Sequence, residues 1–371
     1  MGPAYSQSVI RYDVLTEMPQ IAALSEEWDA LLSRSKCNRA FSSSKWYLAT
    51  PDLLPQLQPL VLVARRNHSL AGILPLWLNV NRREAGFPDD YSDHLDIIAD
   101  DGDIEVATGL MDLALSDAGN YDTLVLKHIK QDANCVSGIQ NLKIVATNPQ
   151  ELFAAPSCLK YAVVNLARGY AAYRKTLNKH FRKALVRESN QSQRKGILVR
   201  EMSADDLDPQ RLPETFLSLH FNRFGDRSTI KTDFQNSTSW IGKLFPSLFS
   251  EGRMRVFAIL NQQEIVGMHL AMVGRDGMYG WNSGFIAEIL DISPGNLLFD
   301  FVIRQSCVEG LREYDFGWWG QDYKRHWKPF SRTIGEIRLS LRGCSRESRL
   351  ETMRAAHMGS EGQPIAPLIL D

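Results

Sequence analysis

The sequence predicts a mixed α/β protein of the α+β type, built as two tandem domains that each carry a mixed, mostly antiparallel sheet flanked by helices. Three observations carry this expectation. The length, 371 residues, exceeds what one hydrophobic core usually organises. Short apolar runs with strand character alternate with amphipathic helical stretches along the chain. One pattern also occurs twice: an apolar run containing Ala64 or Ala258, a polar turn containing Asn67 or Asn261, then Gly72 or Gly267 inside a second apolar run. The copies lie about 195 residues apart and their turns differ by one residue, which argues for two copies of one fold. The reading assigns 1–165 to a first domain, 166–343 to a second, and 344–371 to a C-terminal helix and tail.

Each element follows from local pattern. Residues 8–14 (SVIRYDV) read as a strand, and 19–34 as an amphipathic helix with Ile21, Leu24, Trp28, Leu31 and Leu32 on one face. LVLVARR and LAGILPLWL, joined through Asn67 and His68, read as a hairpin. Strands are expected at 94–99, 122–128, 142–146 and 161–166, and helices at 103–116 and 132–140. Residues 170–194 form a long basic helical stretch, followed by a strand at 197–202 and helices at 205–225 and 233–250. The run RVFAILNQQEIVGMHLAMVGRDGMYGWNSGF supplies three strands. A helix from about Gly295 to Gly310, the strand YDFG and a last strand, EIRLSLR, complete the second domain.

Composition removes several classes of function. With 44% hydrophobic and 23% charged residues the chain is ordinary for a globular protein. A formal net charge of -1 leaves no overall field to gather nucleic acid or anionic membrane, so any polyanion contact must be local. Five scattered cysteines without a CxxC pair fit neither a zinc site nor a disulfide framework. No signal-peptide pattern opens the sequence and no run of roughly 18 apolar residues exists. A reducing cytoplasm is the expected location, with no membrane span.

The stretch DISPGNLLFDFVIRQ joins the third of three consecutive strands to a helix. Pro294 has no amide proton to lose, Gly295 lets a ligand approach the backbone, and the first-turn amides can bind phosphate with help from the helix dipole. Ser293 before Pro294 is also an ordinary helix start.

Several stretches then match a known pattern in order and spacing: WDALLSRS, FSSSKWYLA and DDYSDHLDII in the first half, LNKHFRKALVR, LHFNRF, SPGNLLFDFVIRQSCVEGLREYDFG and YKRHW in the second. The chain resembles the tandem acyltransferases of the Gcn5-related (GNAT) superfamily, in particular the CelD-like and FemABX-like groups. The resemblance implies two GNAT domains, a second domain that carries the acyl donor, no metal and no tightly bound cofactor. The superfamily's usual phosphate loop, with paired glycines, is absent here.

Amide formation needs a neutral amine, a polarised carbonyl and a destination for one proton. His220 in SLHFNRFG, matching the family's His and Arg pattern, is the candidate base, with Arg223 beside it for substrate. Asp315, at a strand end, could orient or deprotonate the acceptor amine or simply form the turn before Gly317. Lys324 in YKRHW resembles a lysine that FemABX-like enzymes place near the aminoacyl end. Trp318 and Tyr323 are candidate substrate walls, with Trp319 and Trp327 nearby. Ser293, Gly295 and Asn296 are assigned to the donor, as are Lys179, Arg182 and Lys183, which share a helix face with Arg187 and suit coenzyme phosphates or an RNA backbone. Asp90, Tyr91 and Asp93, close to His94 and Asp96, are read as holding a cationic or hydroxylated acceptor rather than a metal.

Three functions follow as expectations. The first is an N-acyltransferase taking acyl groups from a coenzyme A (CoA) or carrier-protein thioester to a small-molecule or peptide amine. The second is an aminoacyl-tRNA-dependent transferase making a peptide bond in cell-wall or natural-product synthesis. The third is a non-catalytic GNAT-like subunit of exopolysaccharide assembly.

Overall fold

Two hairpins with the same turn organise the molecule. A computed structural model describes residues 9–88, 92–116, 121–142, 158–225, 238–286 and 292–341. Strands β2 (Leu57–Arg66) and β3 (Ser69–Asn79) are joined by Asn67 and His68, with φ of 50° and 69°. Strands β9 (Met254–Asn261) and β10 (Glu264–Val273) are joined by Gln262 and Gln263, with φ of 49° and 70°. Positive φ at both central residues is the type I′ turn that matches strand twist. Asn67 therefore corresponds to Gln262; Asn261 is the last strand residue and pairs with Glu264.

The chain divides into two compact units, one of Met1–Leu159 with Thr333–Asp371, the other of Lys160–Arg332. In unit 1, β1 (Ile10–Leu15), β2, β3, β4 (Glu84–Gly86), β6 (Thr123–Ile129) and β13 (Phe330–Ser340) lie in that order, with β5 (Ile98–Ala99) beside β3. Only β4 and β6 run parallel within this set. In unit 2 the order is β8 (Leu198–Met202), β9, β10, β11 (Gly277–Phe285), β12 (Glu313–Trp318) and β7 (Leu159–Asn165), with β11 and β12 parallel. Each unit thus repeats one scheme: an outer strand, a hairpin, a fourth strand, and a parallel fifth. The strand EIRLSLR, read from sequence as the end of the second domain, instead pairs with β6 of unit 1, for example Leu339 with Leu124.

Local chemistry explains where the elements differ from the sequence reading. The helix expected over 19–34 is two, α1 (Met18–Ala22) and α2 (Ser25–Arg34), because the Ser25 hydroxyl donates to Ala22 O at 2.7 Å and a new helix starts. Helix α3 (Ser44–Leu53), not assigned from sequence, starts at Ser43, whose Oγ accepts from Trp46 N. The strand expected over 94–99 shrinks to β5. His94 adopts φ 58°, and Asp96 caps α5 (Asn134–Asn141) by accepting from Asn134 N at 2.6 Å and Cys135 N at 2.9 Å. Helix α4 (Ile104–Leu115) lies against the hairpin where a Cβ on Gly72 would stand 2.2 Å from Val106 Cγ1. Leu142 ends α5, and the rest of the strand expected over 142–146 lies outside the described residues.

In unit 2 the basic stretch 170–194 is likewise two helices, α6 (Tyr170–Thr176) and α7 (Lys179–Arg194). Leu177 is extended, and Asn178 Oδ1 accepts from His180 N at 2.8 Å. After a 3-10 turn at Pro209–Arg211 follow α8 (Leu212–Phe224), α9 (Thr238–Ser250) and α10 (Pro294–Val308). The core between the sheet and α6, α7 and α10 is built from Ile259, Leu298, Phe299, Val302, Tyr314, Phe316 and Trp327. The expected C-terminal helix and tail lie outside the described residues.

Candidate active site

The feature that positions the site is a split between two parallel strands. β11 and β12 pair only at Gly277↔Glu313, Met278↔Tyr314 and Tyr279↔Asp315. Past that point β11 carries one extra residue, Trp281, between the pairs Ala271↔Gly280 and Leu270↔Asn282. β12 bends at Gly317, whose φ of 73° lies in the left-handed region that favours glycine. A bulge on one strand and a kink on the other open a wedge, and α10 follows β11 in the chain. Ser293 N-caps α10 with no side-chain hydrogen bond. Among the described residues a Cβ built on Gly295 would meet only Phe299, at 3.8 Å, so their packing leaves room beside this glycine. Asn296, in the same first turn, donates from Nδ2 to Glu188 Oε1 at 3.4 Å.

His220 lies on α8 and is fully buried. It touches the rings of Phe216 and Phe224, with centroids 5.6 and 4.6 Å away. Gly284 makes this packing possible: a Cβ there would stand 2.4 Å from His220 N. Burial pushes the imidazole down to about 4; the polar groups of Ser283 and Asn282 oppose that push and the Arg223 guanidinium adds to it. The sequence offered His220 as a near-neutral base, whereas its burial among aromatic rings favours the uncharged imidazole. Arg223 donates from Nη1 to Ser283 O at 3.2 Å and lies over the Phe285 ring at 4.4 Å.

The sequence reading missed the polar centre of the unit. His269, 2% exposed, joins Ser283 Oγ at 2.8 Å through Nδ1 and the Tyr314 hydroxyl at 2.7 Å through Nε2. This chain crosses β10, β11 and β12 at the point where the parallel ladder ends. Gly280 is there because a Cβ would stand 2.4 Å from the Tyr314 oxygen. Burial, then the Arg223 charge, pushes His269 down to about 3. A histidine inside the apolar run VGMHLAMV was the available signal, since an ionisable group there must find buried partners.

At the kink, Asp315 is 1% exposed; its Oδ1 accepts from Gly317 N at 2.7 Å and its Oδ2 faces Arg332 at 3.9 Å. Of the two roles the sequence offered for Asp315, this geometry is that of the turn before Gly317. Lys324 is buried in a 3-10 turn over Asp322–Trp327 and donates from Nζ to Phe316 O at 2.7 Å and Trp318 O at 2.6 Å. Burial pushes this amine down to about 8 against the pull of Asp315. Tyr323 stacks on Phe299 of α10 with centroids 5.7 Å apart, and Trp318 is 59% exposed. His220, Arg223, Asp315, Trp318, Tyr323 and Lys324 thus all belong to unit 2, with the wedge.

The break between α6 and α7 creates a second surface. Arg174, Lys175, Lys179, Arg182 and Lys183, with Tyr170 and Val186, line an open groove of about 640 Å³. Arg182 Nη1 donates to Lys175 O at 3.0 Å and ties the two helices. Tyr170 is held from beneath by Asp300, and Arg304 lies over its ring at 5.1 Å.

In unit 1, Asp93 Oδ1 lies 3.2 Å from His128 Nδ1. Asp90 and Tyr91 lie outside the described residues. Among the described residues no three His, Cys, Asp or Glu side chains converge in a metal-holding group.

The strand order, the split and the helix behind it are those of a GNAT-like fold. Residues 179–325 match the family model described as "Acetyltransferase (GNAT) domain", so unit 2 contains a GNAT domain and the chain is an acyl or aminoacyl transferase. No curated protein matches the sequence significantly. Among solved structures, FemX is similar with a TM-score of 0.57 and 12% identity, covering 87% of this chain and 96% of that one. The C-terminal domain of a putative lysylphosphatidylglycerol synthetase from Agrobacterium fabrum gives 0.52 and 11%, covering 91% and 96%. L-PGS from Bacillus licheniformis gives 0.51 and 11%, covering 91% and 97%. At such identities the likeness is one of fold. Among the described residues no helix is long and apolar enough to cross a membrane.

Proposed function

We propose that unit 2 moves an acyl group from a CoA or carrier-protein thioester to the amine of a small molecule or peptide. The observation that carries this reading is the wedge between β11 and β12, bulged at Trp281 and kinked at Gly317, followed by the open first turn of α10 at Gly295. The first-turn amides and the helix dipole suit the donor's phosphates, and the split between the strands suits its extended arm. In the reaction the neutral amine attacks the thioester carbon, a C–N bond forms, the C–S bond breaks, and the amine's proton ends on the departing sulfur. A covalent enzyme intermediate is not required. The exposed Trp318, held through its carbonyl by the buried Lys324, is the group beside the wedge best placed to meet an acceptor. The test is thiol release, followed with a chromogenic disulfide, on mixing short acyl-CoA donors with a panel of amines. Release that requires both partners supports the reading; hydrolysis alone, or no turnover with any pair, counts against it.

The α6–α7 groove favours a second reading, in which the donor is aminoacyl-tRNA and the product a peptide bond. Five cations along two helices suit the repeated charges of a nucleic-acid backbone better than a single diphosphate. Transfer that ribonuclease abolishes and that falls steeply with salt would establish this donor. A cytoplasmic location is in keeping with either donor.

A further inference from the structure

The first turn of α10 faces a second unusual group. Glu188 sits on the side of α7 that is turned inward with Leu185 and Ser192, away from the cationic groove, and is 8% exposed. Its Oε1 accepts from Asn296 at 3.4 Å, which places the carboxyl at the helix N-terminus. Its Oε2 has no hydrogen-bond partner among the described residues. A buried carboxyl oxygen without a partner is costly, and natural structures keep such a group where something else completes it.

We propose that Glu188 is part of the donor site and binds as the carboxylic acid, its Oε2 proton donated to a phosphate oxygen of the donor. The proposal rests on the reading of the α10 N-terminus as the donor's anionic anchor and says which side chain completes it. The chemistry follows from charge. A phosphate drawn to the helix amides would meet a carboxylate as a like charge, whereas the protonated acid supplies a hydrogen bond in the same place. Burial already raises the Glu188 carboxyl above its usual range, with the Asn296 hydrogen bond and then the charge of Arg187 opposing. Arg187 on the same helix is the charged neighbour whose field reaches it, and the facing residue of α10, Asn296, is neutral. Donor binding therefore takes up one proton, with affinity falling as pH rises and a limiting slope of about tenfold per pH unit.

The experiment is calorimetric titration with 3′-dephospho-coenzyme A, whose diphosphate has no proton to lose near neutrality, from pH 6 to pH 8.5. Lys324 titrates in the same range, so the difference between wild type and Glu188→Gln carries the assignment. Glu188→Gln keeps the donor group and removes the charge. We expect its affinity at pH 8.5 to exceed the wild type's by about tenfold or more and its dependence on pH to flatten. Repeating the wild-type titration in two buffers of different ionisation heat counts the proton directly and needs no variant. Uptake near zero, or a Glu188→Gln protein that binds more weakly at every pH, overturns the role of Glu188 while leaving the donor site standing. No binding by the wild type at any pH removes the donor site and this role with it.

Discussion

The His269 imidazole and the Tyr314 hydroxyl lie 2.7 Å apart, one on β10 and one on β12, bridging across β11 through a position that only Gly280 leaves empty. Ser283 completes the chain on the other ring nitrogen, so both nitrogens of a buried histidine are engaged. Replacing His269 with Leu strands two buried hydroxyls. The expected cost is about 2–5 kcal/mol in urea-induced unfolding, with Gln recovering part of it. A loss below about 1 kcal/mol would mean that the chain contributes little.

Acid should act through the same buried groups. The folded protein holds His220 near 4 and His269 near 3, both below an unfolded value of about 6.5. The unfolded chain binds more protons in this interval, so stability is intact above pH 6.5 and falls as pH drops toward 4 and then 3. The shifts correspond to roughly 3 kcal/mol for His220 and roughly 5 kcal/mol for His269 over these windows. Thermal unfolding from pH 7 to pH 4 measures the fall, and His269→Gln should make it shallower.

Two glycines should separate folding from binding. Gly284→Ala drives a Cβ to 2.4 Å from His220 N, a backbone atom that cannot swing aside, and is expected to cost about 1–3 kcal/mol or more. Among the described residues Gly295→Ala meets only Phe299, at 3.8 Å, and it should leave stability within about 1 kcal/mol. If the donor sits against that turn, the same change weakens its binding by about tenfold or more, near 1.4 kcal/mol. Unchanged donor affinity in Gly295→Ala would remove the turn from the site.

Lys324 holds two carbonyls, Phe316 O and Trp318 O, that have few other routes to a partner in so tight a turn. Lys324→Met should cost about 2–4 kcal/mol in chemical unfolding. It should also raise KM for the amine more than for the donor, since Trp318 loses its anchor. Equal changes in both constants would argue for a general loosening instead.

For the groove, replacing Lys179, Arg182 and Lys183 together with Ala should lower the thermal midpoint only slightly, through loss of the Arg182–Lys175 hydrogen bond, because exposed charges add little to stability. Binding of a fluorescent RNA oligonucleotide, if it occurs, should lose about two units from the slope of log K against log salt. A slope that does not move places the RNA elsewhere.

Much of the fold was legible because it rests on local chemistry. The two hairpins, with polar residues between apolar runs, read directly as strands, and the helix after Ser293 announces itself through Pro294. What escaped depends on partners distant in sequence. Asp96 looks like one of several acids until Cys135 and Asn134 arrive to be capped. His269 looks like an intruder in a strand until Tyr314 is beside it. Glu188 reads as the one acid in a basic segment, and only α10 shows why it faces inward. His220, Arg223 and Lys324 were found by pattern, but a pattern holds no information on burial. The charge state of His220 and the enclosure of Asp315 therefore had to come from the structure.

Unit 1 lacks its last strand until the whole of unit 2 has been made, since the chain that pairs with β6 comes after Arg332. On the ribosome, the edge of β6 is therefore exposed for the time it takes to translate some 170 residues, and an open sheet edge invites wrong pairing. A gene fragment stopping at residue 159 would carry that open edge for good, whereas the segment 160–332 contains its own complete set of strands. Anyone dividing this chain for expression should cut out the middle rather than remove the end.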